Sequence, residues 1–111
     1  MATLLEKIQR ARESQVPAGG FKFRIRRPTD LEWFELQGSG PASRLLRFVV
    51  GWDGVRELDL FPGGDPTPAA FDHDVMLQFV GDRPDIMTTL CEAVLASYRA
   101  HVAQGEEAKK N

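Results

Sequence analysis

The stretch that decides the fold is Phe48-Val49-Val50-Gly51-Trp52-Asp53-Gly54-Val55. Leu45, Phe48 and Trp52 recur at the three-and-four spacing of one helical face. The two glycines of the stretch can adopt the positive φ at which helices end. The pattern therefore predicts a helix from about Pro41 to Gly51, and Trp52 is expected to anchor the connection that follows further along the chain.

A connection rich in proline and glycine follows, from Phe61 to Pro68, and it leads into two further helices. Asp72 can cap the first of these helices, whose apolar face ends at Gly81. The second is predicted to run from Pro84 to about Ala103, because proline is favoured in a first helical turn. The buried stripe expected on this last helix consists of Met87, Leu90, Cys91, Val94, Leu95, Tyr98 and Val102.

Upstream, the segment from Phe21 to Arg26 alternates apolar and basic residues, which is the period of a strand with one buried face. Its expected partner is the segment from Glu57 to Leu60. Pairing these two would set carboxylates opposite the basic side chains and leucines beside the phenylalanines. The sequence therefore predicts a two-stranded antiparallel ribbon.

The N-terminal segment begins with a capping box, in which the side chains of Thr3 and Glu6 can satisfy the first free N–H groups of a helix. This helix is predicted to run to about Glu13 and to be ended by the turn-forming residues between Pro17 and Gly20. Its apolar stripe is narrow, which suits loose docking or docking on another subunit. The stripe consists of Leu4, Leu5, Ile8 and Ala11.

A second capping box runs from Thr29 to Glu32 and predicts another short helix. This helix should continue through Leu36, with Trp33 and Leu36 facing inward. The segment from Gly38 to Gly40 would end it.

Composition indicates one soluble domain, because 111 residues of which 42% are hydrophobic can form one modest core but not two. We expect a mainly α fold with a small antiparallel β-ribbon, an α+β class, with about five helices in a single domain spanning residues 1–111. Residues 1–20 would form the N-terminal helix and a linker. Residues 21–103 would form the core, and residues 104–111 a flexible polar tail.

Charge and cysteine content narrow the location and the partners. The 14 lysines and arginines against 16 aspartates and glutamates leave a net charge of -2, which does not attract nucleic acid or anionic lipid in bulk. Cys91 is the single cysteine, and the first residues lack the apolar segment of a signal peptide. No apolar run approaches the ~20 residues that span a bilayer. These features predict a cytoplasmic protein that binds neither nucleic acid nor membrane.

No polar cluster in the sequence predicts an enzyme. Asp72, His73 and Asp74 come nearest to a metal-ligand set, but an acidic helix N-terminus stabilised by the helix dipole is the favoured interpretation. Cys91 lies among apolar residues, where a thiol has a raised pKa and packs as a small hydrophobe. The segment from Gly38 to Ser43 precedes a helix but lacks the lysine and spacing of a P-loop. We therefore expect no catalytic residue, no metal and no cofactor.

The basic edge of the predicted strand is the one place where nucleic acid could bind. It consists of Lys22, Arg24, Arg26 and Arg27. Because these residues alternate with phenylalanines, the two kinds of side chain point to opposite faces and cannot jointly stack bases and grip phosphates. A solvated strand face paired with the carboxylates of the segment from Glu57 to Leu60 is the favoured interpretation. A small nucleic-acid-binding regulator is the alternative.

Taken in order, these features resemble the small tail assembly chaperones of long-tailed bacteriophages. The resemblance covers roughly Phe21 to His101. It consists of a strand ending in Arg27-Pro28-Thr29, a helix closing on Gly51-Trp52-Asp53-Gly54-Val55, a proline-containing loop running into Phe71 and a last helix carrying Tyr98.

This resemblance implies a protein that binds a partner without catalysis. Members of that family coat the long helical tape measure protein and keep its apolar faces from aggregating until tail tube subunits polymerise around it. They are commonly made in two lengths through a ribosomal frameshift, and codons for Lys109-Lys110-Asn111 could form an adenine-rich slippery run. This chain differs from the family in the segment from Leu58 to Pro66, which is longer than the usual short acidic hairpin.

Binding to such a client requires an exposed apolar stripe or groove and an affinity weak enough for displacement. The predicted partner is the tape measure protein, with a homo-oligomer as a further possibility. Another phage morphogenesis protein, such as a head-tail connector, is the alternative. The candidate partner-binding residues are Leu4, Leu5 and Ile8 in the first helix, followed by Trp33, Leu36 and Phe61.

Overall fold

A three-stranded antiparallel sheet organises the fold, which the computed structural model describes for residues 2–36 and 42–110. Strand β1 spans Glu13–Ala18, β2 spans Phe21–Arg26 and β3 spans Val49–Asp53. Strand β2 lies in the middle and is hydrogen-bonded to both neighbours.

Six helices account for most of the remaining residues in these two ranges, so the chain is a single, mainly helical α+β domain, as predicted. One of the six is a 3₁₀ helix, which leads directly into β3. The helices are α1 (Leu4–Ala11), α2 (Asp30–Leu36), the 3₁₀ helix (Ala42–Phe48), α3 (Glu57–Leu60), α4 (His73–Gly81) and α5 (Pro84–Lys110).

The predicted pairing of β2 with the segment from Glu57 to Leu60 is wrong, because that segment forms helix α3. Strand β2 pairs instead with β1, where Glu13 faces Arg26 and Ala18 faces Phe21. The expected linker before residue 20 is therefore an edge strand of the sheet. Helix α1 correspondingly ends at Ala11, two residues earlier than predicted.

The turn between β1 and β2 explains why these two strands pair. Gly19 and Gly20 have φ angles of 59° and 86°. Positive φ at both central residues defines the two-residue turn whose twist matches a β-hairpin. The two glycines therefore reverse the chain into β2, although they were predicted to end a helix.

These two glycines should differ in how well they tolerate alanine. A Cβ on Gly19 would lie 2.7 Å from the buried Ile86 side chain, whereas a Cβ on Gly20 would meet nothing within 4 Å. Gly20→Ala should therefore cost only the left-handed backbone strain, about 1 kcal/mol. Gly19→Ala adds a core clash and should cost about 2–3 kcal/mol. Urea unfolding followed by circular dichroism measures both, and equal losses would contradict the clash.

The predicted helix from Pro41 to Gly51 is wrong in its last three residues. The described part of it is a 3₁₀ helix that ends at Phe48, and Val49 begins β3. Val49 faces Ile25 and Trp52 faces Phe23 across the sheet, with an irregularity in register between Arg24 and Ile25. Short apolar runs fit a helix or a buried strand equally well. Here the run forms a strand because its backbone pairs with the edge of β2 that β1 leaves open.

The core lies between the sheet and the helices α4 and α5, together with the 3₁₀ helix. The alternation in β2 was predicted correctly, since Phe23 and Ile25 are buried while Lys22 and Arg24 are exposed. Of the stripe predicted for α5, Leu90, Cys91 and Val94 are buried, Met87, Leu95 and Tyr98 are half-buried and Val102 is exposed, whereas the fully buried Ile86 was not predicted. The buried apolar residues are Ala18, Phe23, Ile25, Leu46, Phe48, Val49, Trp52, Val55, Met76, Phe79, Val80, Ile86, Leu90, Cys91 and Val94.

As predicted, Trp52 anchors the connection between α3 and α4. Its indole Nε1 donates a 2.8 Å hydrogen bond to the carbonyl oxygen of Ala69, and its ring meets that of Phe71 edge to face at 5.2 Å. The Ala69 amide in turn donates to the Val55 carbonyl at 2.9 Å. The connection after α3 is therefore tied back against the end of β3.

The predicted helix starts are confirmed by their caps. Thr3 accepts from the Glu6 amide at 3.1 Å, and Asp72 accepts from the Val75 amide at 3.1 Å. Helix α5, however, continues through Gly105 to Lys110, beyond its predicted end at Ala103. The predicted break from Gly38 to Gly40 lies outside the described residues.

Candidate partner-binding surfaces

Helix α1 carries an apolar face that the described chain leaves uncovered. Leu4, Leu5 and Ile8 are 74%, 64% and 41% exposed, and α1 contains no buried residue. Glu6 and Arg10 lie on the opposite side of the helix, as the 100° step between residues requires. We call the surface formed by Leu4, Leu5 and Ile8 the α1 face. It presents the three candidate residues predicted for this helix side by side.

A groove of about 700 Å³ lies between the loop that follows α3 and the helix α4. Phe61, predicted as a partner-binding residue, lines it and is 50% exposed. Glu57 and Asp82 are the only charged residues among the described residues lining the groove, and both are acidic. We call this feature the acidic groove. Its apolar lining includes Phe61, Pro68, Ala69, Ala70, Val75 and Phe79.

Helix α2 uses its candidate residues for packing. Trp33 is half-buried and stacks on Tyr98 of α5, with ring centroids 4.4 Å apart. Leu36 is half-buried and lines a hollow of about 420 Å³ together with residues of α4 and the 3₁₀ helix. Both side chains face inward, as predicted for the helix.

The exposed apolar residues of α2 are Leu31 and Phe34, which were not predicted. They are 69% and 72% exposed. Apolar residues occur on both sides of this short helix, and the sequence analysis predicted the inner pair without identifying Leu31 and Phe34 as an exposed pair. The structure thus separates the candidate residues into three places, which are the α1 face, the packed side of α2 and the acidic groove.

An ion-pair cluster centred on Glu32 joins the end of β2 to α2 and the 3₁₀ helix. Arg26 donates to both carboxylate oxygens at 2.7 and 3.0 Å, and Arg47 approaches at 3.3 Å. The Thr29 amide also donates to Glu32, which closes the predicted capping box. The guanidinium of Arg26, followed by the Thr29 amide, holds the pKa of Glu32 at about 2 against the opposing effect of burial.

The basic residues of β2 lie beside different neighbours from those predicted. Arg26 pairs with Glu32, whereas Asp59 pairs with Arg56 within α3 and its cap. Lys22 lies opposite Asp53 of β3, and Arg24 lies opposite Gly51. The carboxylates of α3 do not line the basic face of the sheet.

A second polar cluster links the first residue of α2 to the C-terminal half of α5. The Tyr98 hydroxyl donates to Asp30 at 2.9 Å, and the His101 ring nitrogen lies 3.3 Å from the same carboxylate oxygen. The hydrogen bond from Tyr98 lowers the pKa of Asp30, and desolvation raises the pKa of the Tyr98 phenol. This cluster positions α2 and leaves Leu31 and Phe34 facing outward.

The residues considered for chemistry have structural roles. Asp72 caps α4, and the ring of His73 lies 3.2 Å from the Leu46 carbonyl. Burial raises the pKa of the Cys91 thiol, as the sequence predicted for a core cysteine. Within residues 2–36 and 42–110 no three histidine, cysteine or carboxylate side chains converge to hold a metal ion. Over the same ranges, none of the helices combines the length and apolar character that crossing a membrane requires.

No protein-family model, curated protein or solved structure matches this chain. The two surfaces described above therefore carry the functional argument. The α1 face and the acidic groove are both apolar at their centre and accessible to a partner.

Proposed function

We propose that this chain is a tail assembly chaperone of a long-tailed bacteriophage or prophage. In this role it binds the tape measure protein in the cytoplasm of the bacterial host and keeps that client soluble until the tail tube forms. The proposal combines the resemblance given above with one structural observation, the uncovered α1 face.

The α1 face suits a helical client. Leu4, Leu5 and Ile8 are spaced i, i+1 and i+4, the pattern by which one amphipathic helix packs on another. A contact limited to a few side chains gives modest affinity, which allows tail tube subunits to displace the chaperone. Many chaperone copies, each bound weakly along an extended client, can together cover its apolar surface.

Co-expression tests the function directly. The longest open reading frame near the gene should encode the tape measure protein, and its product should become soluble and co-purify with this chain. The measurement is the soluble fraction of the client with and without the chaperone. An equal soluble fraction in both conditions would contradict the proposed function.

Two matched double variants test the α1 face as the client site. Leu5→Gln with Ile8→Gln removes two apolar side chains and leaves the net charge unchanged. Burying each contributes at least about 1 kcal/mol, so client binding should weaken at least about tenfold. Glu6→Gln with Arg10→Gln introduces the same two glutamines on the opposite side, also without changing the net charge, and should bind normally. Equal capture by both double variants would place the client site elsewhere on the chain.

A further inference from the structure

The α1 face and the acidic groove lie at opposite ends of the sheet. Helix α1 leads into β1 where Glu13 faces Arg26. The groove lies at the other end of β2, where Phe21 meets the groove residue Phe79 edge to face at 5.6 Å. Six strand residues separate these ends by about 17 Å. The α1 face of one chain therefore does not reach the acidic groove of the same chain.

The two surfaces are complementary in charge. Lys7 borders the α1 face three residues after Leu4, whereas Glu6 and Arg10 lie on the opposite side of the helix and offset each other, so the charge at the edge of the α1 face is positive. The described lining of the acidic groove carries Glu57 and Asp82 and no basic residue. Opposite potentials favour docking of α1 in the groove and oppose docking of a second acidic segment.

The two surfaces are also alike in polarity, and the groove of about 700 Å³ has room for apolar side chains of a neighbouring helix. Phe61 and Val75 expose apolar surface in the groove, as Leu4 and Leu5 do on α1.

We propose that α1 of one copy of this chain lies in the acidic groove of a second copy. Such a contact joins two different surfaces, so two copies can exchange helices reciprocally, or several copies can join head to tail. The contact goes beyond the proposed function and does not depend on it. If the client also binds the α1 face, a second copy would cover that face until the client displaces it.

Sedimentation velocity of the purified full chain, without any client, tests the proposal. The sedimentation coefficient of the wild type should rise between about 10 µM and about 1 mM, as expected for a small interface. Leu5→Gln with Ile8→Gln should stay monomeric because its α1 face is lost. Ala70→Arg should also stay monomeric, because it places a bulky cation at an exposed position in the groove.

A mixture of these two variants provides the decisive measurement. The first retains an intact groove and the second an intact α1, so together they should form a one-to-one complex that neither forms alone. Ala100→Arg makes the same substitution at an exposed position on α5 outside the groove and should associate as the wild type does. Circular dichroism confirms that each variant is folded.

Three results would overturn the proposal. The first is a wild-type chain that remains monomeric at the highest concentration. The second is Ala70→Arg associating like the wild type, which would indicate packing of α1 against α1. The third is a mixture that forms no complex. Co-expression with the client does not enter these measurements, so their failure would leave the proposed function to its own test.

Discussion

Replacing Trp52 with alanine is expected to lower the free energy of unfolding by about 3–5 kcal/mol, the largest effect of any single substitution considered for this chain. Trp52 is only 6% exposed. Its ring meets Phe23, Phe71 and Phe79 edge to face. Alanine would leave a cavity among these rings and would leave the Ala69 carbonyl without its indole donor.

Two further variants separate the contributions of the Trp52 side chain. Trp52→Phe keeps an aromatic ring but removes the hydrogen bond, so it should cost less than Trp52→Ala. Trp33→Ala is the matched control, because this second tryptophan is half-buried and stacks mainly on Tyr98. Urea unfolding should be followed by far-ultraviolet circular dichroism, because replacing a tryptophan changes the intrinsic fluorescence of the protein. If Trp52→Ala lowered the free energy of unfolding by less than about 1 kcal/mol, Trp52 would not be what joins the connection between α3 and α4 to the sheet.

Glu32→Gln is expected to lower the free energy of unfolding by about 2 kcal/mol at pH 7, a value that allows for screening of a partly exposed ion pair. The pKa of Glu32 in the folded chain is about 2, below its ordinary value of 4.5. The ionised carboxylate therefore stabilises the fold fully above pH 4.5, and this stabilisation is lost as the pH falls toward 2. The difference between Glu32→Gln and the wild type should accordingly shrink across that interval.

Glutamine at this position keeps an oxygen that can accept from the Thr29 amide, so the variant isolates the ion pairs with Arg26 and Arg47. Glu92→Gln removes one carboxylate from an exposed position on α5 and serves as the control for net charge. Unfolding free energies at several pH values between 2 and 7 provide the comparison. A loss for Glu32→Gln that does not change with pH would show that its carboxylate acts through shape and not through charge.

The residues expected to stabilise the fold and the residues proposed to bind a partner lie in different parts of this chain. Trp52 joins the sheet to the connection between α3 and α4, and Glu32 joins the sheet to α2. The α1 face, in contrast, contributes no buried residue. Variants of Leu5 and Ile8 should therefore change client binding or self-association while leaving the unfolding transition almost unchanged. This separation makes the binding experiments readable without a correction for misfolding.

The candidate site was predictable only in part. The exposed stripe of α1 followed from spacing, because an eight-residue helix with three large apolar residues shows one apolar side whatever the rest of the chain does. Phe61 was predicted as a single residue, but the acidic groove around it required α3 and α4 to come together. In α2, Trp33 was predicted to face inward, but its stacking on Tyr98 and the exposure of Phe34 on the other side required the folded structure.

Features that depend on neighbouring residues could be predicted from the sequence. These are the caps at Thr3, Thr29 and Asp72, the alternation of β2 and the centre of the buried stripe of α5, at Leu90, Cys91 and Val94, since capping and periodicity are local. The pairing of β2 with β1 and β3, and the start of a strand at Val49, became evident only in the folded chain. Strand pairing and side-chain burial depend on which distant segments meet, and the local sequence of an apolar segment does not specify the segment with which it pairs.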